Sequence, residues 1–295
     1  MTIIVGIICE NAIVLASDSQ TTSGTTKRTD TEKISSVEFA NLTALVAQAG
    51  YAPFSGQAVE IFNSLAKDKE ITDYRMVAEL AERAMRQLKD RVRFQQGDCT
   101  VEELREFVWK HELGCELMIA YFFDGKPCLF TIDMIVGIAN KVNSFYEAIG
   151  CGANLGAYLL SELSAPDMVF DHAAVLAVYV VEIVKKHDAY CGGKTKLGII
   201  HSMTSLTGQI LKQLIDNKDA YVQMFPQKEV EELSNIAARV DELGKAYRNR
   251  DFLKELVAKS QRERESIQSV RNNAFARAMA AASKDDKTKS KKENE

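Results

Sequence analysis

The chain has 295 residues, of which 46% are apolar, with 16 glycines and only 4 prolines, so most of it is expected to form regular structure around a substantial core. Its formal net charge of −4 gives no reason to expect a nucleic-acid partner. No segment reaches the length and apolarity of a membrane span, and no secretory signal is recognisable, so we expect a cytoplasmic protein without a membrane partner.

The first part of the chain predicts four strands followed by two helices. Strands are expected near residues 3–8, 12–17, 34–38 and 42–48, and helices near 53–68 and 74–94. In the second helix, Val77, Leu80 and Leu88 recur at helical spacing opposite a strongly charged face. A charged insertion follows, in which Thr100 and Glu103 have the spacing of a capping box, so a short extra helix is expected there.

The middle of the chain predicts a similar succession. Strands near 115–123, 127–132 and 144–149 precede helices near 153–163 and 171–187 and a strand at 196–203. A turn at Asp124-Gly125 joins the first two of these strands. Strands, paired helices, strands and paired helices predict an α+β fold in which two sheets lie between helical layers, a four-layer αββα sandwich.

Residues 206–283 differ in character from residues 1–205. Helix formers dominate, and apolar stripes that begin at Leu211, Val230 and Phe252 predict a C-terminal extension of two or three amphipathic helices. The extension is interpreted either as a docking or ring-assembly element or as an elaboration that only packs on the core. Residues 284–295 are charged and lack apolar anchors, so they are expected to be disordered.

Short segments near the N-terminus carry residues suited to hydrolysis. Met1 precedes Thr2, a residue small enough for methionine aminopeptidase, so Thr2 could become the N-terminus with a hydroxyl beside a free α-amine that serves as its general base. The apolar run from Ala12 ends at Asp18, before a hydroxyl-rich turn. Lys33 starts the next predicted strand, and a turn ending at Gly50 enters a helix.

Two further segments lie far downstream. They read Ala148-Ile149-Gly150-Cys151-Gly152-Ala153 and His187-Asp188-Ala189-Tyr190-Cys191-Gly192-Gly193. Together with the N-terminal segments, and in the same order, they resemble the turns of the proteasome β-subunit family of N-terminal-nucleophile hydrolases, including its bacterial relatives. The resemblance covers residues 2–205 and implies the same αββα fold.

The resemblance implies a role for each matched residue. Thr2 would attack an amide carbonyl, and Lys33 would stay charged and stabilise alkoxide character on the Thr2 oxygen. Asp18 would hold Lys33 and balance its buried charge. The backbone N–H of Gly50 would line an oxyanion hole, and Asp188 would orient groups around the terminal amine.

The sequence departs from the family at Cys151 and Cys191, where serines are usual. Because a thiol donates a weaker hydrogen bond than a hydroxyl, these changes could tune the proton network, leave it unaffected or mark a loss of activity. Both are interpreted as neighbours of the nucleophile, not as nucleophiles. The six cysteines have no metal-ligand spacing and their usage argues against routine oxidation. The resemblance implies no catalytic metal and no organic cofactor. The resemblance leaves room for a structural cation on backbone carbonyls near residues 188–191.

Substrate contacts also follow from the resemblance. Thr22, Gly50 and Ala52 would pair with an extended substrate backbone by strand addition, which gives affinity without requiring particular side chains. The first specificity pocket would be bordered by Thr21, Thr31, Ser35 and Gln48. Gln48 would make the floor of this pocket more polar than an apolar residue would.

These features predict a threonine-type endopeptidase that cleaves peptide or protein substrates through an acyl-enzyme ester on Thr2. The resemblance implies a homo-oligomeric ring or spiral that encloses the site, and leaves open an ATP-dependent unfoldase as a partner. Two other functions remain as alternatives to a threonine peptidase. One is an amide hydrolase or transpeptidase dedicated to a single substrate, whose acyl-enzyme would prefer amine acceptors over water. The other is a catalytically silent assembly or adaptor subunit, whose cellular function would survive Thr2→Ala.

Overall fold

The computed structural model of the protein describes residues 2–23, 26–97, 99–202 and 220–247. The chain divides into two compact units, residues 1–239 and residues 240–295. The strands in the described residues are β1 (Ile4–Ile8), β2 (Ala12–Ser17), β3 (Thr21–Ser23), β4 (Thr26–Arg28), β5 (Ile34–Glu38), β6 (Thr43–Gly50), β7 (Cys115–Phe123), β8 (Lys126–Asp133), β9 (Ala139–Lys141), β10 (Tyr146–Ile149), β11 (Lys196–Ser202) and β12 (Ala220–Met224). The helices are α1 (Ala52–Ala66), α2 (Arg75–Gln95), α3 (Val101–Lys110), α4 (Ala153–Leu163), α5 (Phe170–His187) and α6 (Gln227–Tyr247).

The strands of the first unit form two antiparallel five-stranded sheets. The first sheet has the order β10-β1-β2-β11-β12, the second has the order β5-β6-β7-β8-β9, and β3 pairs with β4 in a separate hairpin. In the first sheet, Ile4 at the start of β1 lies opposite Ser17 at the end of β2 and opposite Ile149 at the end of β10. This register brings the N-terminus, the segment after β2 and the segment after β10 to one edge of the sheet.

The two sheets stack face to face across an apolar layer. Ile4 and Leu15 of the first sheet meet Leu45, Met118 and Phe122 of the second there, and all five are fully buried. Because side chains alternate along a strand, the opposite faces are also apolar. The opposite face of the first sheet packs on α4, α5 and α6, and that of the second sheet packs on α1, α2 and α3. The predicted four-layer αββα sandwich is confirmed.

The helices follow the predicted patterns. In α2, the apolar stripe of Val77, Leu80 and Leu88 is buried, and the charged face points to solvent. α3 begins at the predicted capping box: the Thr100 hydroxyl accepts from the Glu103 N–H at 3.2 Å, and the Glu103 carboxylate accepts from the Thr100 N–H at 2.8 Å. None of the described helices is long and apolar enough to cross a membrane.

The sequence predicted only helices beyond residue 205, but the structure has a further strand, β12, in this region. β12 pairs with β11, with Gly198 opposite Met224, and forms an edge of the first sheet. The first compact unit accordingly runs to residue 239. In a five-residue edge strand, the alternation of apolar and polar residues is too short to be recognised from one sequence. The three-residue strands β3, β4 and β9 were not predicted for the same reason.

α6 corresponds to one predicted stripe of the extension. Val230, Leu233 and Ala237 are buried along one side of this helix. The stripes beginning at Leu211 and Phe252, and the tail 284–295, lie outside the described residues.

Candidate active site

Thr2, Asp18 and Lys33 meet where strand ends of the two sheets come together. Thr2 precedes β1, Asp18 follows β2, and Lys33 precedes β5 of the second sheet. Their exposed fractions are 2%, 0% and 5%, so all three are buried. The register of β1 and β2 explains part of this convergence, because the Ile3 N–H donates to the Asp18 carboxylate at 3.1 Å.

The Lys33 ammonium connects the other groups. Its Nζ donates to the Thr2 Oγ at 2.8 Å, to the Asp18 Oδ1 at 2.7 Å and to the Gln20 carbonyl at 2.6 Å. Burial lowers the pKa of Lys33, and the Asp18 carboxylate acts in the opposite direction. A positive charge held by Asp18 therefore lies directly against the Thr2 hydroxyl oxygen.

Asp18 is held by backbone donors from three segments. Besides the Ile3 N–H on Oδ1, its Oδ2 accepts from the Gln20 N–H at 3.2 Å and from the Gly192 N–H at 3.0 Å. With the Lys33 ammonium, four donors surround one buried carboxylate. Such donors replace the hydrogen bonds that water would make, and they fix the carboxylate that positions Lys33.

Cys151 and Cys191 meet beside the backbone nitrogen of Thr2. In this structure that nitrogen belongs to the peptide bond with Met1, and it stands in for the α-amine that removal of Met1 would release. The Cys151 Sγ accepts from it at 3.2 Å and lies 3.7 Å from the Cys191 Sγ. Both thiols are free; Cys191 is buried and Cys151 is exposed.

The two thiols are not equivalent. Hydrogen bonding from Cys191 lowers the pKa of Cys151, and the same contact, together with burial, raises the pKa of Cys191. Cys151 is therefore the thiol that ionises first.

Asp188 lies next to this pair of cysteines. It caps the C-terminus of α5, and its Oδ1 accepts from the Tyr190 N–H at 2.8 Å. A carboxylate oxygen of Asp188 and the sulfur atoms of Cys151 and Cys191 all lie within 4.8 Å of one another. The structure thus brings Asp188, Cys151 and Cys191 together, the three residues that were predicted to lie around the nucleophile and its amine.

Gly50 ends β6 in a conformation that favours glycine. Its φ is 94°, and a Cβ added there would lie 2.1 Å from the backbone oxygen of Gly114. The next N–H, that of Tyr51, donates to the same oxygen at 2.8 Å. The turn that the sequence predicted before α1 therefore packs tightly against the segment leading into β7.

Gly50→Ala is expected to lower the free energy of unfolding by at least about 2 kcal/mol, because a left-handed conformation costs an L-residue about 1–2 kcal/mol and the new Cβ overlaps Gly114. The matched control is Gly56→Ala inside α1, where an added Cβ meets nothing within 4 Å and alanine is favoured by up to about 1 kcal/mol. Urea unfolding followed by circular dichroism compares the two variants. Equal midpoints for Gly50→Ala and the unmodified protein would contradict the argument.

The predicted pocket residues Thr21 and Thr31 are in direct contact. Their hydroxyl groups share a hydrogen bond of 2.8 Å, which joins β3 to the segment before Lys33. Thr22, predicted to pair with substrate, lies in β3, and its hydroxyl accepts from the Gln20 amide at 3.4 Å. Thr21 and Thr22 therefore lie within two residues of Gln20, whose carbonyl binds Lys33, and Thr31 lies two residues before Lys33 itself.

The remaining predicted substrate residues lie on the second sheet and the helix after it. The Gln48 side-chain amide donates to the Glu32 carbonyl at 3.4 Å, which places Gln48 of β6 beside the start of β5. Ser35 is exposed on β5, and Ala52 is the first residue of α1. Among the described residues, no hydrogen bond joins the side chain of Gln48 or Ser35 to Thr2.

Three partners of the site were missed by the sequence analysis. Gln20 supplies a carbonyl to the Lys33 ammonium, and Gly192 supplies both an N–H and a carbonyl, the latter accepting from Gln20 at 2.9 Å. Gly192 lies inside the segment 187–193, so the sequence indicated that it is near the site but did not indicate its contact with Asp18. Glu116 of β7 accepts from the Gly150 N–H at 3.0 Å, and burial raises the pKa of Glu116. Nothing near Glu116 in the sequence indicates this contact.

Two antiparallel sheets between helical layers, with a threonine just before β1 facing a buried lysine, define the N-terminal-nucleophile hydrolase fold of the proteasome β-subunit type. The family model for the proteasome subunit matches residues 2–200. The chain belongs to the proteasome subunit family.

Solved structures of Anbu proteins share this fold. Anbu (ancestral beta-subunit) from Yersinia bercovieri has a TM-score of 0.62 and 15% identity, covering 84% of this chain and 97% of that one. The Gly-1 mutant of Anbu from Hyphomicrobium sp. strain MC1 has a TM-score of 0.61 and 16% identity, with the same coverage of 84% and 97%. The Anbu complex from Pseudomonas aeruginosa, a helical assembly, has a TM-score of 0.60 and 16% identity, covering 82% and 96%. No curated protein sequence matches the chain.

Proposed function

We propose that the protein is a threonine peptidase in which Thr2, exposed by removal of Met1, is the nucleophile. The observation that carries this proposal is the contact of 2.8 Å between the Lys33 Nζ and the Thr2 Oγ in a buried site. An ammonium group that donates to a hydroxyl oxygen stabilises negative charge developing there. The α-amine on the same residue takes the hydroxyl proton, directly or through one water molecule.

The proposed reaction has two stages. The Thr2 Oγ attacks the substrate carbonyl while its proton passes to the α-amine, and the backbone N–H of Gly50 stabilises the resulting oxyanion. The C–N bond then breaks, the α-ammonium returns the proton to the leaving amine, and an ester remains on Thr2. Water attacks this ester with the α-amine as its base, which releases the acid product and restores Thr2.

Cys151, Cys191 and Asp188 are proposed to position the terminal amine. The contact of 3.2 Å between the Cys151 Sγ and the Thr2 nitrogen supports this role for Cys151. Cys191 and Asp188 adjoin Cys151 and support its orientation. Retention of Thr2, Asp18 and Lys33 in hydrogen-bonding geometry favours an active site over a silent subunit.

An extended peptide is the proposed substrate. Its backbone would lie along Thr22, Gly50 and Ala52, and its first side chain would enter the pocket bordered by Thr21, Thr31, Ser35 and Gln48. The hydroxyl and amide groups on this border favour a polar or small side chain over a large apolar one.

Copies of the chain are proposed to assemble into a homo-oligomeric ring or spiral in the cytoplasm. Membership of the proteasome subunit family supports this, as does the helical assembly formed by the Anbu complex of Pseudomonas aeruginosa. An enclosed site would admit only unfolded chains, so an ATP-dependent unfoldase is the proposed partner for folded substrates.

The intact mass of the purified protein, before and after exposure to a peptide epoxyketone, tests the nucleophile. This reagent requires a hydroxyl group and a free α-amine on one residue, so we expect loss of Met1 and one adduct per chain on Thr2. Thr2→Ala keeps a residue that permits removal of Met1 but has no hydroxyl, and it should form no adduct, whereas Thr2→Ser should retain the reaction. Retained Met1 without an adduct would overturn the proposal in favour of a silent subunit.

A further inference from the structure

Three side chains beside Thr2 offer donor atoms that a borderline-soft metal ion prefers. They are the two sulfur atoms of Cys151 and Cys191 and a carboxylate oxygen of Asp188, all within 4.8 Å of one another. In the part of the chain that the structure describes, this is the one group of three or more His, Cys, Asp or Glu side chains arranged in this way. Cys191 and Asp188 lie in one turn, and Cys151 comes from the turn after β10.

The spacing of the two sulfur atoms matches a tetrahedral zinc site. With Zn–S bonds of about 2.3 Å and tetrahedral angles, two sulfur ligands lie about 3.8 Å apart. The Cys151 and Cys191 sulfur atoms are 3.7 Å apart. The measured separation therefore fits two sulfur ligands on one zinc ion.

The Thr2 nitrogen, which lies beside Cys151, is the candidate for a fourth ligand. It lies 3.2 Å from the Cys151 sulfur, and sulfur and nitrogen ligands of one tetrahedral zinc ion lie about 3.5 Å apart. Removal of Met1, on which the proposed function also depends, would turn this nitrogen into an amine with a free lone pair. Cys151 is exposed, so an ion can reach the site from solvent.

The charges at the site also suit a divalent cation. Two thiolates and one carboxylate carry three negative charges, so a bound Zn²⁺ leaves a net charge of −1 close to the Lys33 ammonium. Binding of the ion would release the protons of both thiols to solvent.

We propose that Cys151, Cys191, Asp188 and the Thr2 α-amine bind one Zn²⁺ ion, which reversibly blocks the nucleophile. Four protein ligands leave no open position for an activated water molecule, so the ion acts as an inhibitor and not as a catalyst. The amine bound to Zn²⁺ has no lone pair left to accept the Thr2 hydroxyl proton. The site is built from thiolates and is distinct from a cation held by backbone carbonyls.

Equilibrium dialysis of the reduced, full-length protein against ZnCl₂, followed by measurement of bound metal, tests the site directly. We expect one Zn²⁺ per chain, with affinity reduced at least about tenfold in Cys151→Ser and in Cys191→Ser, because serine has nearly the same shape but is a poor zinc ligand. The matched control is Cys99→Ser, a half-buried thiol outside the cluster, which should bind as the unmodified protein does. Binding of Co²⁺ should add a thiolate-to-metal charge-transfer band that both site variants weaken.

Two results would overturn the proposal: no bound Zn²⁺ in the unmodified protein, or equal binding by the double variant Cys151→Ser/Cys191→Ser. The dialysis needs no peptidase activity, so its outcome is separate from that of the epoxyketone experiment. One Zn²⁺ per chain without an epoxyketone adduct would uphold the ligands Cys151, Cys191 and Asp188, but it would reject the peptidase and with it the inhibitory role of the ion. If the protein both binds Zn²⁺ and forms the epoxyketone adduct, Zn²⁺ should slow adduct formation on Thr2, and EDTA should restore the original rate.

Discussion

Lys33→Met should lower peptide turnover by about 10²- to 10⁴-fold, because it removes the charge that faces the Thr2 oxygen. Methionine has nearly the length of lysine and tolerates burial, so the change leaves no large cavity. It does leave the Asp18 carboxylate buried without its cation, which should lower the free energy of unfolding by about 3–5 kcal/mol. Turnover of a fluorogenic peptide and urea unfolding measure the two effects.

The matched control is Lys196→Met, which removes a lysine from an ion pair at the surface. Its partner, Glu32, is 62% exposed, so the pair is expected to contribute about 0–1 kcal/mol to stability. Turnover should stay close to that of the unmodified protein. If Lys33→Met lost stability but kept turnover, the lysine would have only a structural role and the proposed chemistry would fail.

Asp18→Asn is expected to lower the free energy of unfolding by about 3–5 kcal/mol, although it changes the side-chain volume little. The carboxylate accepts from four donors, the N–H groups of Ile3, Gln20 and Gly192 and the Lys33 ammonium. An asparagine amide turns one acceptor into a donor, so a backbone N–H loses its partner and the buried ammonium loses its counter-charge. Urea unfolding gives the stability, and the rate of epoxyketone adduct formation reports on Thr2.

Asp133→Asn is the comparison for this change. Asp133 accepts from the N–H groups of Ile135 and Val136 in a turn after β8, with Val136 exposed. Its substitution should cost less than that of Asp18 and leave the rate of adduct formation unchanged. Equal unfolding midpoints for the two variants would contradict the importance assigned to the Asp18 charge.

The sequence predicted most of the fold because its elements are long or strongly patterned. β2, β6 and β7 are apolar along nearly their whole length, since they are buried on both faces, and α2 shows one continuous stripe. β12 is an edge strand of five residues, and its pairing with β11 depends on contacts between distant segments. Local pattern carries little information about such pairing.

Part of the site was predictable because its residues stand at element ends. Thr2, Asp18 and Lys33 each adjoin a recognisable strand, and stacking the two sheets brings these ends together. The cluster of Cys151, Asp188 and Cys191 was not recognised as a ligand set, because spacing rules consider ligands that are close in sequence. Forty positions separate the two cysteines, and only the packing of α4 and α5 on the first sheet brings them together.

The attachment of Asp18 to Gly192 has a consequence for biosynthesis. Met1 can be removed as soon as the N-terminus leaves the ribosome, so Thr2 would have its free amine early in translation. The carboxylate that holds Lys33 nevertheless takes one of its donors from a residue that is made 174 positions later. The proposed site therefore stays incomplete until the chain has been synthesised at least as far as Gly192 and this segment has packed against Asp18. If the chain is the proposed peptidase, this dependence protects a nascent chain from its own activity.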